Sequence, residues 1–170
     1  MSDPKWSFLQ RQFLANSVAA ALQRAGVYVR DATDEDGTVL GASIRSALVA
    51  LAPAYVEKVA EEDHVRNIQA LADEVSAQCG RVLHDGRLRF GVAQKALNLF
   101  LKYLWCAGRI PPPPHCPFDA IVIAKLPADV QVPWTKIDTA EPYLKLVKAA
   151  RALAGAESLP DWELRVYGDA

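Results

Sequence analysis

Residues 87–119 decide the fold of this chain, and they read RLRFGVAQKALNLFLKYLWCAGRIPPPPHCPFD. From Phe90 to Leu104, apolar side chains recur at the three- and four-residue steps of one broad helical face. Gly108 and the four prolines at 111–114 cannot continue a helix and are typical of a stiff polyproline segment. The stretch therefore predicts a central helix over about residues 90–107, within an all-α or nearly all-α, compact multi-helix bundle.

Length and composition predict a single helical domain over residues 1–170. Half of the residues (51%) are hydrophobic and 23% are charged, which excludes an intrinsically disordered chain. The cysteines are three in number and widely spaced, which favours reduced thiols in a cytoplasmic protein over a disulfide framework. The N-terminus, MSDPKWSFLQ, lacks the pattern of a signal peptide, and no stretch of 18 uncharged apolar residues predicts a membrane span.

The remaining sequence predicts further helices and one irregular segment. Helices are expected over residues 7–25 and 42–60, with a kink at Pro53, then from a cap at Asp63 to Gly80, and again from Thr139. Residues 27–41, VYVRDATDEDGTVLG, predict a surface loop or a short ribbon. Two segments leave the choice of helix or strand open, namely residues 118–126 and 161–167.

The central helix carries a polar strip beside its apolar face. Lys95 and Lys102 are two helical turns apart, and Gln94 and Asn98 are one turn apart, so we expect two ammonium groups and two amides side by side. Residues 31–74 contain ten acidic and three basic residues, whereas residues 81–109 contain six basic residues and one acidic residue. This asymmetry predicts one anion-attracting face, although both segments could equally be solvated helix faces that pair with each other.

These observations lead to a first functional hypothesis, which is binding of nucleic acid or a phosphorylated ligand. Lysines would contact phosphate, amides would add directional hydrogen bonds and an aromatic ring would stack on a base. The segment PWTKID (133–138) supplies a second polar and aromatic cluster. The predicted binding residues are Arg87, Arg89, Gln94, Lys95, Asn98, Lys102, Trp105, Trp134 and Lys136.

Two alternatives stay open. The first is a non-enzymatic protein–protein interaction or self-assembly module, such as a homo-oligomer. The second is an enzyme with one pocket around Lys102, His115, Asp119 and Asp138. The sequence does not identify catalytic residues for such an enzyme. No cofactor or metal is predicted, because the cysteines and histidines lack ligand spacing and no phosphate-binding or zinc-protease motif is present.

Four blocks of the C-terminal half carry a resemblance. AQKALNLFLKYLW (93–105), HCPFD (115–119), PWTKID (133–138) and DWEL (161–164) resemble blocks in uncharacterised bacterial proteins of similar length. The resemblance implies a bacterial, intracellular origin. It implies no fold, activity or catalytic residue.

Overall fold

The computed structural model describes residues 3–168, and every extended regular element in that range is helical, which confirms the all-α bundle. Short 3-10 turns link several helices, and one isolated antiparallel bridge joins Tyr28 to Leu83. The helices are α1 (Pro4–Leu22), α2 (Asp34–Leu51), α3 (Glu61–Cys79), α4 (Phe90–Cys106), α5 (Ala120–Ile123), α6 (Ala140–Ala154) and α7 (Leu159–Gly168).

Helix α4 is the central helix, as predicted. It packs against α1, α2 and α3. Its apolar face is buried throughout, with Leu97, Phe100 and Leu101 fully inaccessible to solvent. Because burial of such side chains is the main driving force for folding, this face fixes α4 in the middle of the bundle.

The region from residue 27 to residue 60 differs from its prediction. Residues 34–41 form the first turns of α2 rather than a loop or ribbon. Thr33 and Asp36 form a reciprocal capping box, in which each side chain accepts a hydrogen bond from the other residue's backbone N–H. The predicted break at Pro53 is confirmed, because α2 ends at Leu51 and a 3-10 turn follows over Ala52–Tyr55.

The α2 region is also long and apolar enough to cross a membrane by length and composition, over Asp34–Tyr55. Its first turn carries three consecutive acidic residues. Leu40, Ile44 and Leu48 are fully buried, and α2 packs against α1, α3 and α4. One face of α2 therefore belongs to the core, whereas Val39 and Val49 on the helix are exposed.

The two ambiguous segments are helical. Asp119 caps the short helix α5 by accepting hydrogen bonds from the backbone N–H groups of Ile121 and Val122. Residues 161–167 lie in α7, where Trp162 and Glu163 are buried. The strand alternative for residues 161–167 is therefore wrong.

A close backbone contact joins the start of α4 to the segment 134–137. The Gly91 N–H donates to the Ile137 carbonyl oxygen at 2.9 Å. A Cβ atom at position 91 would lie 1.8 Å from the Trp134 carbonyl oxygen, so only glycine fits. This contact holds the Trp134 ring against α4.

Candidate functional site

Six polar side chains form a connected hydrogen-bond network inside the apolar bundle. Burying polar groups costs free energy unless they are hydrogen bonded, so a network of this size in a small core is unusual. Five of its members are fully inaccessible to solvent, and the sixth, Tyr55, is 2% exposed. The members of this core network are Tyr55, His64, Gln94, Asn98, His115 and Tyr143.

Asn98 is the hub of the core network. Its amide oxygen lies 2.9 Å from His64 Nε2, so the imidazole must donate there. Its amide nitrogen donates to Gln94 Oε1 and to the Tyr143 hydroxyl, each at 3.1 Å. Gln94 in turn exchanges two hydrogen bonds with the backbone of Phe118. Each oxygen and nitrogen atom of both amides therefore has a hydrogen-bond partner within the core.

The bond directions fix the proton positions on both histidines. Burial raises the pKa of Tyr55 to about 12 and that of Tyr143 well above its usual value, so each hydroxyl keeps one proton to donate. Tyr55 accepts from Asn67 and lies 2.8 Å from His64 Nδ1. Since His64 donates through Nε2, Tyr55 donates to Nδ1.

The same logic applies at the other end of the network. The Tyr143 hydroxyl accepts from Asn98 and lies 2.7 Å from His115 Nδ1. Its proton has no other acceptor among the network members, so it is donated to Nδ1. His115 in its neutral form therefore carries its proton on Nε2.

Both histidines are held neutral. Burial lowers the pKa of His64 from 6.5 to about 3, with the neighbouring His115 as the second cause. Burial, followed by the charge of Arg151, lowers the pKa of His115 to about 3. The two rings meet edge to face with centroids 4.8 Å apart, a distance at which two charges would repel strongly.

The network has one open end. His115 Nε2 is buried and has no hydrogen-bond partner within residues 3–168. Glu61 Oε1 lies 3.5 Å from it, which is too long for a good hydrogen bond. An orphaned buried donor costs about 1–3 kcal/mol, so an acceptor at this position would lower the free energy of the folded protein.

Glu61 connects this open end to a cavity of about 550 Å³. Its second carboxylate oxygen lies 2.6 Å from Arg151, which also donates to the Pro114 carbonyl oxygen. Both side chains are partly exposed, Glu61 at 39% and Arg151 at 47%. The residues that line this polyproline cavity are Lys58, Val59, Ala60, Glu61, Pro111, Pro112, Pro113, Pro114, Arg151, Ser158 and Leu159.

The chemistry of the polyproline cavity suits recognition of an oxygen anion. It offers a guanidinium group and, behind Glu61, an unpaired imidazole N–H, and both donate to anionic oxygens. Apolar proline and leucine side chains form much of the remaining wall. Within residues 3–168, no group of three His, Cys, Asp or Glu side chains is arranged to hold a metal ion.

The predicted binding residues divide into separate groups in the structure. Gln94 and Asn98 do not stand beside the lysines at a surface, contrary to the predicted strip. Both are fully buried. Asn98 bonds to His64 on α3 and to Tyr143 on α6, and Gln94 bonds to Asn98 and to the backbone of Phe118.

Lys95 and Lys102 do share a cavity, of about 440 Å³, which we call the lysine cavity. The Lys102 ammonium is paired with Glu163, at 2.9 and 2.7 Å from its two carboxylate oxygens. The Lys95 ammonium lies over the Trp134 ring, 4.2 Å from its centroid. The residues that line this cavity are Ala20, Gln23, Lys95, Leu99, Lys102, Tyr103, Pro117, Asp119, Glu163 and Tyr167.

The other predicted residues lie elsewhere. Arg87 and Arg89 both contact the carboxylate of Asp138, at 3.4 and 3.5 Å. Lys136 is exposed, and Trp105 is half-buried near the end of α4.

The four residues of the predicted enzyme pocket do not share one cavity. Lys102 and Asp119 line the lysine cavity. His115 lies in the core network beside Glu61, and Asp138 pairs with Arg87 and Arg89.

Sequence reasoning missed most of the site. Tyr55 and Tyr143 were expected only as members of apolar helical faces, and Glu61, His64 and Arg151 were not singled out. A signal was present, because tyrosine and histidine at buried positions need polar partners. Pairing them required knowledge of which helices are neighbours.

Comparison with other proteins does not add to this geometry. The chain matches no protein-family profile, no curated protein and no solved structure.

Proposed function

We propose that this protein binds a small organic anion, carrying a carboxylate or phosphate group, in the polyproline cavity. The observation that carries the proposal is the unpaired, buried N–H of His115, which lies beside the Glu61–Arg151 pair that lines the cavity. In a purely structural network, we would expect every buried donor to have a partner within the protein. In a ligand-binding network, the donor next to the cavity stays unpaired until the ligand supplies its acceptor.

Binding proceeds by exchange at Arg151. In the free protein, Glu61 holds the guanidinium at 2.6 Å and leaves His115 Nε2 without a proper partner. An incoming anion replaces the Glu61 carboxylate, and its oxygens accept from Arg151 and from His115 Nε2. Glu61 is partly exposed, so its side chain can rotate toward solvent. The neutral state of His115 favours this role, because a neutral imidazole donates without needing to be charged.

The lysine-bearing face of α4 supports nucleic-acid binding less well than the sequence suggested. Asp138 contacts Arg87 and Arg89, and Glu163 contacts Lys102, so carboxylates offset several of the basic groups. Phosphate backbones require an excess of positive charge over a long track. We therefore place the anion in the polyproline cavity, and nucleic-acid binding is the alternative outcome of the experiment below.

The test is calorimetric titration of the purified protein with inorganic phosphate, succinate and phosphoglycolate, and with a short single-stranded DNA. Arg151→Gln should weaken binding of the tightest small anion by roughly 10–100-fold, because a hydrogen bond to a charged group contributes about 1.5–3 kcal/mol. Glu61→Gln should strengthen it, because the competing carboxylate is removed. Arg66→Gln is the matched control, since Arg66 is an exposed arginine on α3 paired with Asp63.

A direct readout comes from the histidine side chains. The chain has only three histidines, so nitrogen–proton correlation spectra of the imidazoles are simple to assign. A small anion in the polyproline cavity should shift the His115 Nε2 signal and leave the exposed His84 unchanged. Unaltered His115 signals at saturating anion, or equal binding by Arg151→Gln and Arg66→Gln, would overturn the proposal. Binding of the DNA alone would support the nucleic-acid alternative.

We further propose a bacterial cytoplasmic location. Cys79, Cys106 and Cys116 are all free thiols, which supports a reducing compartment. Thiol titration of freshly lysed cells that express the protein tests this proposal.

A further inference from the structure

The lysine cavity has a different character from the polyproline cavity and shares no lining residue with it. Two lysines and two acidic residues line it, so the formal charge of its lining is balanced. Its volume of about 440 Å³ lies in the range of roughly 300–1,000 Å³ that small-molecule sites occupy.

The ion pair in this cavity is deeply buried. The side chain of Lys102 is 13% exposed and that of Glu163 is 2% exposed. Both Glu163 oxygens contact the same ammonium, but only Oε1 meets hydrogen-bond geometry. Lys102 also lies over the Tyr167 ring, 4.9 Å from its centroid, so an aromatic face helps to hold its position.

The carboxylate of Glu163 has acceptor capacity that the protein does not use. An ionised carboxylate offers about four lone-pair sites, and Lys102 fills only part of them. Burial raises the pKa of Glu163, and Lys102 opposes that change. A second donor in the cavity, such as a ligand ammonium group, would hydrogen bond to the lone pairs of this carboxylate that Lys102 leaves unused.

Lys95 supplies the opposite charge. It forms no salt bridge within the described residues 3–168, and its charge is balanced only at longer range by Asp119. Its ammonium group rests on the Trp134 ring. A ligand carboxylate beside Lys95 would give this partly buried cation its first direct anionic partner.

We propose that the lysine cavity binds a zwitterionic small molecule of the α-amino acid class. The ligand carboxylate pairs with Lys95, the ligand ammonium group donates to Glu163 and Asp119, and an apolar or aromatic side chain packs against Leu99 and Tyr103. Both charges are needed, because a ligand with only one of them leaves a lining group of the opposite sign without its partner.

The experiment compares three molecules of nearly one shape. L-Phenylalanine carries both charges, 3-phenylpropionate lacks the ammonium group and phenethylamine lacks the carboxylate. Binding to the full chain is measured by calorimetry, and the standard L-amino acids are screened in parallel by thermal shift to identify the preferred side chain. We expect the preferred zwitterion to bind at least about 10-fold more tightly than either single-charge analogue, since unpaired buried polar groups penalise the wrong ligand.

Two variants and one control assign the binding to this cavity. Lys95→Met removes the free cation without orphaning a carboxylate, so the fold should persist and binding should fall at least about 10-fold. Glu163→Gln should weaken the zwitterion and spare 3-phenylpropionate. Lys145→Met removes a lysine that pairs with Glu141 on the exposed face of α6, and it should change nothing.

The outcomes separate cleanly. If no L-amino acid binds, or if the single-charge analogues bind as tightly as the zwitterion, the inference is wrong. If Glu163→Gln fails to fold, Lys95→Met alone decides, and its unchanged affinity would also overturn the inference. Neither result bears on anion binding in the polyproline cavity.

Discussion

Replacing Tyr143 with phenylalanine is the sharpest test of the core network. The change removes one buried oxygen and leaves the ring shape intact, so no cavity forms. It deprives His115 Nδ1 of its donor at 2.7 Å and one Asn98 amide proton of its acceptor at 3.1 Å. Each orphaned group costs about 1–3 kcal/mol, partly offset because phenylalanine has no hydroxyl to desolvate. We expect a loss of roughly 2–3 kcal/mol in the free energy of unfolding.

The assay is urea unfolding followed by circular dichroism, with thermal unfolding as a second measurement. For a chain of this length, the loss corresponds to a fall of about 4–12 °C in Tm. Tyr103→Phe is the matched control. Tyr103 is half-buried, and its ring stacks on the Phe13 ring with the centroids 5.1 Å apart. Its hydroxyl group makes no hydrogen bond within residues 3–168. That control should stay within about 0.5 kcal/mol of the parent. Equal stability of the two variants would refute the argument that the Tyr143 hydroxyl is a hydrogen-bonded member of the core network.

Four further predictions concern protons and backbone contacts. Because the folded-state pKa values of His64 and His115 are lowered from 6.5 to about 3, only the unfolded chain takes up these protons below pH 6.5. The free energy of unfolding should therefore be highest above about pH 6.5. It should fall towards pH 3 by up to about 1.4 kcal/mol per pH unit for each histidine. A urea midpoint that stays constant between pH 7 and pH 5 would contradict this. Imidazole nitrogen spectra at neutral pH should show both histidines protonated on Nε2, and an Nδ1–H signal from either would contradict the assigned bond directions. Gly91→Ala should destabilise by about 1–3 kcal/mol or more, because its Cβ would lie 1.8 Å from the Trp134 carbonyl oxygen. Gly37 lies in α2, and a Cβ there would meet only Tyr28, at an ordinary contact distance of 3.5 Å. Gly37→Ala should therefore stabilise the protein by about 0.5–1 kcal/mol in the same urea assay.

Local sequence signals predicted the helices well where a periodic face met a clear stop. The central helix was expected over about residues 90–107 and runs over Phe90–Cys106, because its apolar period and the proline wall are both local. The start of α2 was missed although its signal is also local. Thr33 and Asp36 have capping-box spacing, but Gly37 and the surrounding acidic residues made the segment look like a turn.

The candidate site could not be predicted in the same way. Its hydrogen bonds join His64 to Asn98 across 34 residues and Asn98 to Tyr143 across 45 residues. A helical wheel gives the direction of a side chain from its own helix but not the identity of the neighbouring helix. The wheel placed Gln94 and Asn98 beside the lysines at the surface. In the structure, neighbouring segments that include α3 and α6 cover Gln94 and Asn98, so both amides lie in the core.

The close contact at Gly91 offers a criterion for recognising distant kin of this chain. The missing side chain lets the Trp134 backbone touch α4, and that contact keeps the indole ring beneath Lys95. A chain with amides at the positions of Gln94 and Asn98 but a larger residue at position 91 cannot hold the indole there. Such a chain would keep the core network, but the lysine equivalent to Lys95 would lose its aromatic partner and become more exposed to water. The core network and the Lys95–Trp134 contact can therefore be inherited separately. The residue at position 91 indicates whether a sequence can retain the Lys95–Trp134 contact.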